Sequence, residues 1–240
     1  MGKKNYGSVY GQPYQRFRYL LKYIENYYGK KVRILILNDR DGLHTLPAIR
    51  KGYEIDCYES NTLFLNGGQI DGYKVIGLKE KIKYFNMNDN INIFDNNFYE
   101  NIIDKHYDLI YCYKSLHLKE NSHIDLKKKV KKILTTTKKG GFVYIFYHLA
   151  KEPFDYHNYP KNEYFRKGEM IGLFDSSWEI IFIKENNIET SDFPHPYNNS
   201  IHSHLIGHVF ARKINNKDYD MFYNISTINN QEYLKWQLNK

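Results

Sequence analysis

The sequence is poor in cysteine and has no long apolar run. Its two cysteines, Cys57 and Cys112, are too few for a disulfide framework or a cysteine-based zinc site. That usage points to a reducing compartment. The longest mainly apolar run, Phe142 to Ala150, has nine residues, and about 20 are needed to cross a bilayer. No N-terminal stretch has the charged-then-apolar layout of a signal peptide. Tyr6 stands where a myristoylated terminus carries Ser or Thr. A cytoplasmic protein with no membrane partner is expected. Internal repeats and low-complexity tracts are missing too. So is a Gly-x-Gly-x-x-Gly turn, which ranks a nicotinamide-dependent enzyme low.

What is present is an ordinary globular composition. The chain has 240 residues, 42% hydrophobic and 26% charged, enough for one large domain or two small ones with a sizeable core. Tyr reaches 24 residues beside many Asn, Lys and Ile. This is the mark of AT-rich coding, so a lone tyrosine carries little weight. The net charge of +8 admits an acidic or nucleic-acid partner without requiring one.

Pro13 opens a helix whose apolar residues Phe17, Leu20, Leu21 and Ile24 share one face. Gly29 ends it. Val32 to Leu37 reads as a first strand buried on both faces. Residues 38 to 42 form a turn, and Leu43 to Lys51 a short helix with Pro47 near its first turn. Tyr53 to Tyr58 is a second strand that ends at Glu59. After a glycine-interrupted segment, Lys81 to Phe85 is a third, weaker strand, and residues 86 to 97 are loop. Phe98 to Lys105 is a short helix, and Tyr107 to Tyr113 a fourth strand. Ser122 and Asp125 have capping-box spacing ahead of a helix bearing Leu126, Val130, Ile133 and Leu134. Residues 138 to 141 are a turn before a fifth strand, Phe142 to His148. Tyr164 to Phe174 reads as an interrupted helix. Trp178 to Lys184 and Leu205 to Lys213 are two late strands, joined by a loop through Pro194 and Pro196.

Alternating strands and helices imply parallel strands with helical crossovers. Two late strands with no helix between them imply an antiparallel hairpin at one edge. The expected architecture is a single three-layer α/β domain over residues 31–214. A helical segment or lid, 1–30, precedes it, and a tail, 215–240, follows.

In such a sheet ligands bind beyond the carboxyl ends of the strands, near the point where strand order reverses. The turn after the first strand enters a helix directly, so its amides and dipole favour a polar or anionic ligand group. Gly42 allows close backbone approach. Glu59 is placed to accept both hydroxyl hydrogens of a ribose.

With these residues the chain resembles the class I S-adenosylmethionine-dependent methyltransferases. Residues Ile34 to His44 stand where that family has its glycine-rich first motif, and Tyr53 to Glu59 looks like its second strand with the ribose acid. Tyr107-Asp108-Leu109-Ile110-Tyr111-Cys112 and Ser115-Leu116-His117 look like its fourth strand and the segment that follows. Lys138-Lys139-Gly140-Gly141 looks like the turn before strand five. Phe165 to Met170, followed by Trp178-Glu179, is similar to the tellurite-resistance subgroup, which acts on small acceptors. The resemblance covers roughly residues 14 to 213. It implies a Rossmann-like methyltransferase fold, S-adenosylmethionine as cofactor and a small-molecule methyl acceptor.

Its departures are local. The family's strand-one acid is Ile36 here, its first two glycines are Asn38 and Arg40, and only Gly42 remains. Side chains at 38 and 40 crowd the place of the cofactor's amino-acid end. Asp39 or Asp41 is a candidate for its amino group, and Arg40 for its carboxylate. Asn88 and Asp89, after the third strand, are candidates for the adenine.

Lys114 and His117 follow the fourth strand over the expected cleft, where His117 is a candidate general base. His195, in the late loop, is a second catalytic candidate facing the substrate. On a strand, His202, His204 and His208 share a face. They lack a nearby acid, so no metal is assigned. Lys127, Lys128, Lys129, Lys131 and Lys132 read first as the solvated face of their helix, and otherwise as an RNA patch together with the basic, Tyr-rich segment Lys3 to Arg18. Three functions stay open: a small-molecule methyltransferase, a nucleic-acid methyltransferase, and a catalytically silent relative that serves as a protein partner.

Overall fold

A computed structural model describes residue 8 and residues 14–70, 73–118, 121–150, 164–191 and 202–214. Helix α1, Gln15–Tyr28, buries Phe17, Leu20, Leu21 and Ile24, and Gly29 closes it in the left-handed conformation at φ 65°. The chain then alternates through β1 (Arg33–Leu37), α2 (Thr45–Arg50) and β2 (Glu54–Tyr58). A compact excursion follows: α3 (Thr62–Asn66), the hairpin β3 (Gly68–Ile70) and β4 (Tyr73–Val75), and α4 (Leu78–Tyr84). Next come β5 (Ile91–Phe94), β6 (Tyr107–Cys112), α5 (Leu126–Thr136), β7 (Thr137–Leu149), β8 (Trp178–Ser191) and β9 (His202–Lys213).

The main sheet has seven strands in the order β5-β2-β1-β6-β7-β9-β8. β5, β2, β1, β6 and β7 are parallel, and β9 runs antiparallel to both β7 and β8. Strand order therefore reverses between β1 and β6. One sheet face packs on α1, α2 and α4 and includes Ile34, Ile36 and Cys57. The other packs on α5 and includes Leu35, Leu37, Cys112, Phe98 and Phe165. Neighbouring β1 residues feed opposite faces, as a doubly covered parallel strand requires.

Several sequence expectations are corrected. Lys81 to Phe85 is no strand: Lys81 to Tyr84 belongs to α4. Its alternation of Lys and apolar residues imitates a strand, but Leu78, Lys81 and Ile82 form one buried helical face. The third parallel strand is β5, inside the segment read as loop. Phe98 to Lys105 and Tyr164 to Phe174 are turns and a short 3-10 segment rather than helices; Phe98, Tyr99, Phe165 and Met170 still bury their side chains on the α5 face. The cap of α5 is Asp125, whose carboxylate accepts from the amides of Lys127 and Lys128, so Ser122 is not the cap. Residues 138 to 141 lie within β7, beside a register shift opposite Tyr107 and Leu109. The loop through Pro194 and Pro196 and the tail lie outside the described residues.

Candidate functional site

The carboxyl ends of β1, β2, β5 and β6 surround a cleft lined by Leu37, Asn38, Tyr58, Ser60, Asn96 to Tyr99, Ser115, Leu118 and Asn121. It lies at the reversal of strand order, where open α/β sheets bind ligands. Its cavity volume is about 20 Å³, room for about one water molecule and far below the ~300–1,000 Å³ usual for small-molecule sites.

The turn after β1 keeps an unusual backbone. Asn38 and Arg40 both have φ 59°, and Gly42 has φ 95°. The left-handed region costs a residue with a side chain roughly 1–2 kcal/mol, and Asn tolerates it better than Arg. Hydrogen bonds hold the turn there. The amide of Asn38 donates to the carbonyl oxygen of Tyr58 at 2.9 Å. The amide of Arg40 donates to Glu59 Oε2 at 2.7 Å, and Asn61 donates to Glu59 Oε1 at 2.9 Å. Glu59 is buried at the end of β2. A carboxylate can accept about four hydrogen bonds, so these two do not by themselves exhaust it.

The two aspartates of the turn face inward. Asp39 accepts from the amides of His44 and Thr45 at 2.8 and 2.7 Å and contacts His44 Nδ1 at 2.8 Å. It thereby occupies the α2 amides that the sequence offered to a ligand. Asp41 forms a fully buried ion pair with Lys81 at 2.7 Å, and Ser8 donates to its other oxygen. Lys81 also donates to the Asp41 carbonyl. A Cβ on Gly42 would meet Leu78 at 2.8 Å and Leu46 at 2.9 Å, so this glycine serves packing against α2 and α4. Arg40 is the half-exposed charged residue of the turn.

Asn88 and Asp89 precede β5 and are exposed at its amino end. The loop that reaches the cleft is the one after β5, with Asn96, Asn97, Phe98 and Tyr99. The sequence pattern places the third strand at residues that form α4, and this moves the adenine candidates to the amino end of β5.

Beyond β6, Lys114 adopts φ 60°, with its ammonium 5.4 Å from the Tyr113 ring centre and 5.6 Å from that of Phe146. His117 Nε2 accepts the backbone N–H of His148 at 2.8 Å, so in the neutral ring the proton sits on Nδ1. The nitrogen that would serve as base is engaged in this arrangement. His117 stacks on His148 at 4.3 Å, and His148 on His204 at 4.6 Å. Composition alone could not show this row, because it joins three separate segments. Among the described residues no three acidic, His or Cys side chains are placed to hold a metal ion. His195 lies outside the described residues.

His208 is apart from the row. Arg16 donates to its Nε2 at 2.6 Å, and its Nδ1 meets the Tyr144 hydroxyl at 2.7 Å. Burial first, then the charges of Arg16 and Lys184, push its pKa down to about 3. Of the basic helix, Lys127, Lys128 and Lys131 are exposed. Lys129 is buried and donates to the Leu116 carbonyl at 2.7 Å, and Lys132 donates to the Asn101 carbonyl. The continuous basic face read from the sequence is thus interrupted.

No family model and no curated protein matches the sequence. Among solved structures it is similar to TehB from Haemophilus influenzae, with TM-score 0.61 and 18% identity over 83% of this chain and 62% of that one. The chain thus spans less than two thirds of that protein. It is also similar to magnesium protoporphyrin IX methyltransferase from Synechocystis PCC 6803, solved with bound SAM, at TM-score 0.53 and 8% identity over 83% and 78% of the two chains. A third likeness is to 1,6-didemethyltoxoflavin-N1-methyltransferase from Burkholderia thailandensis, with bound S-adenosylhomocysteine, at TM-score 0.50 and 11% identity over 84% and 79%. At these identities the likeness establishes a fold: the Rossmann-like fold of class I methyltransferases.

Proposed function

We propose that the chain is an S-adenosylmethionine-dependent methyltransferase acting on a small molecule. The observation that carries the reading is the left-handed backbone at Asn38, Arg40 and Gly42, locked to Glu59 beside the cleft. Strained residues of this kind cluster where function demands them. The residues present suit the nucleoside half of the cofactor. Glu59 stands at the ribose position, and the cleft offers Asn96, Asn97, Phe98 and Asn121 to a base. At the amino-acid end Asp39 and Asp41 are engaged within the protein, and the guanidinium of Arg40 would pair with a carboxylate.

When bound, the cofactor supplies an electrophilic sulfonium methyl. The chain's part is to hold an acceptor in line with it and to exclude water. Lys114 and His117, on the segment after β6, would flank that acceptor. Lys114 would attract an anionic or electron-rich group. His117 would take a proton only after releasing the His148 amide.

A second reading is a catalytically silent binding protein. The internal engagement of Asp39 and Asp41 and the small cleft favour it. Calorimetric titration with S-adenosylmethionine and S-adenosylhomocysteine separates the two. Micromolar binding supports the enzyme reading, and absence of heat with a folded protein supports the silent one.

A further inference from the structure

The outward face of α5 is built from lysines. Lys127, Lys128 and Lys131 are exposed, and no acid lies within the helix. Among the described residues their ammonium groups have no hydrogen-bond or ion-pair partner. A solvated helix face usually sets Glu against Lys one turn apart. Here Lys127 faces Lys131, and Lys128 faces Lys131 and Lys132, at spacings where like charges repel. Lys127 and Lys128 also stand in the first turn, where the helix dipole disfavours a cation. The cluster therefore lowers the stability of its own helix, and an anion from outside would offset that.

Beside the cluster stands a bare apolar residue. Lys132 donates to the Asn101 carbonyl, and His123, just before α5, pairs with Glu100 at 2.7 Å. These contacts lay residues 100 and 101 along the helix. Ile103 then packs on the α5 side of the core, while Ile102 turns outward at 91% exposure. Among the described residues no large apolar side chain is barer; Tyr84 follows at 60%. Apart from Glu100, the exposed acid of this segment is Asp104, and the exposed Lys105 follows it. Cations around a bare aliphatic side chain suit an interface with an anionic surface and an apolar interior. We propose that this face makes reversible contact with an anionic bilayer surface: Ile102 enters the headgroup boundary, and Lys127, Lys128 and Lys131 lie over acidic headgroups. A nucleic acid would meet the same lysines, yet its phosphate backbone has no place for an aliphatic side chain. The exposed rings that could stack on bases, Tyr14, Tyr19 and Tyr84, stand at α1 and α4, on the other layer. No helix among the described residues is long and apolar enough to cross a bilayer, and such a contact needs none. The sequence expectation of no membrane partner rested on that missing span.

The test is sedimentation of the full chain with two kinds of vesicle, phosphatidylcholine alone and phosphatidylcholine with about one third phosphatidylserine. Wild type should bind the acidic vesicles, half-saturating on the order of 1 mM lipid, and should stay in solution with the neutral ones. Raising salt from about 0.1 to about 0.5 M should release it. Lys127→Gln, Lys128→Gln and Lys131→Gln together should abolish detectable binding, a loss of roughly a hundredfold, or about fivefold per lysine. Ile102→Ser should weaken binding by roughly five- to tenfold. Both variants should melt no lower than wild type, since every changed side chain is exposed and the lysine variant loses like-charge repulsion. A double-stranded RNA of mixed sequence is titrated alongside. Wild type that ignores the acidic vesicles, that binds neutral vesicles equally, or that loses nothing on Ile102→Ser would overturn the proposal. RNA bound more tightly than the acidic vesicles would overturn it too and assign the lysines to nucleic acid.

Discussion

The amide of Arg40 and the carboxylate of Glu59 meet at 2.7 Å, joining the turn after β1 to the residue that ends β2. One hydrogen bond thus couples the left-handed turn to the position that a ribose would occupy. The acid has one task within the fold, and the proposed function gives it a second toward a ligand.

Glu59→Gln tests both. The amide keeps the shape but loses the charge and presents a donor where Arg40 or Asn61 already donates. Stability should fall by about 1–3 kcal/mol, read from urea midpoints. Affinity for S-adenosylhomocysteine should fall by a further factor of roughly ten. Lost stability with unchanged affinity would confine Glu59 to its structural task.

Arg40→Gly restores the residue that suits φ 59°. The variant should be more stable by about 1 kcal/mol, the strain of a left-handed residue less the added freedom of the unfolded glycine. It should bind the cofactor more weakly, because a charged donor is lost. Tighter binding would show that the side chain obstructs the cleft.

Asp41 and Lys81 form an ion pair with both side chains at 0% exposure. Lys81→Met strands a buried carboxylate and should cost about 3–5 kcal/mol. Asp41→Leu combined with Lys81→Met should recover most of that loss. A chemical-denaturation cycle over the four proteins measures the coupling. An additive double variant would refute it.

His208 should make the fold sensitive to acid. Its folded pKa of about 3 lies below its ordinary value of 6.5. The unfolded chain therefore binds the extra proton first as pH falls. Stability from this group is complete above about 6.5 and is lost progressively toward 3. His208→Gln keeps a polar side chain for Arg16 and removes the titration. Its stability should fall less steeply than that of wild type between pH 6 and 4, an interval between the ordinary value of 6.5 and the folded value of about 3. Equal slopes would contradict this account.

The order of elements was legible in the sequence because apolar residues carried it: the α1 stripe from Phe17 to Ile24, the continuous run of β1, and Glu59 at the end of β2. What escaped was placed by long-range partners. Lys81 reads as a polar position until Asp41 buries it, and β5 hides four residues, Ile91–Phe94, among asparagines. The site divided in the same way. The positions around Glu59 followed from strand ends. The inward turn of Asp39 toward α2 and the row of histidines depend on contacts between distant segments.

Cys57 and Cys112 lie on opposite faces of the sheet, and burial pushes both thiols up. A thiol reagent attacks thiolate and needs access, so neither should react in the closed molecule. Labelling must wait for an opening, and each thiol reports the opening of its own side. The rate at Cys57 would time the release of the layer built from α1, α2 and α4, and the rate at Cys112 the release of α5. The protein thus carries two native clocks, and single-cysteine variants would show whether its two layers loosen together or in turn.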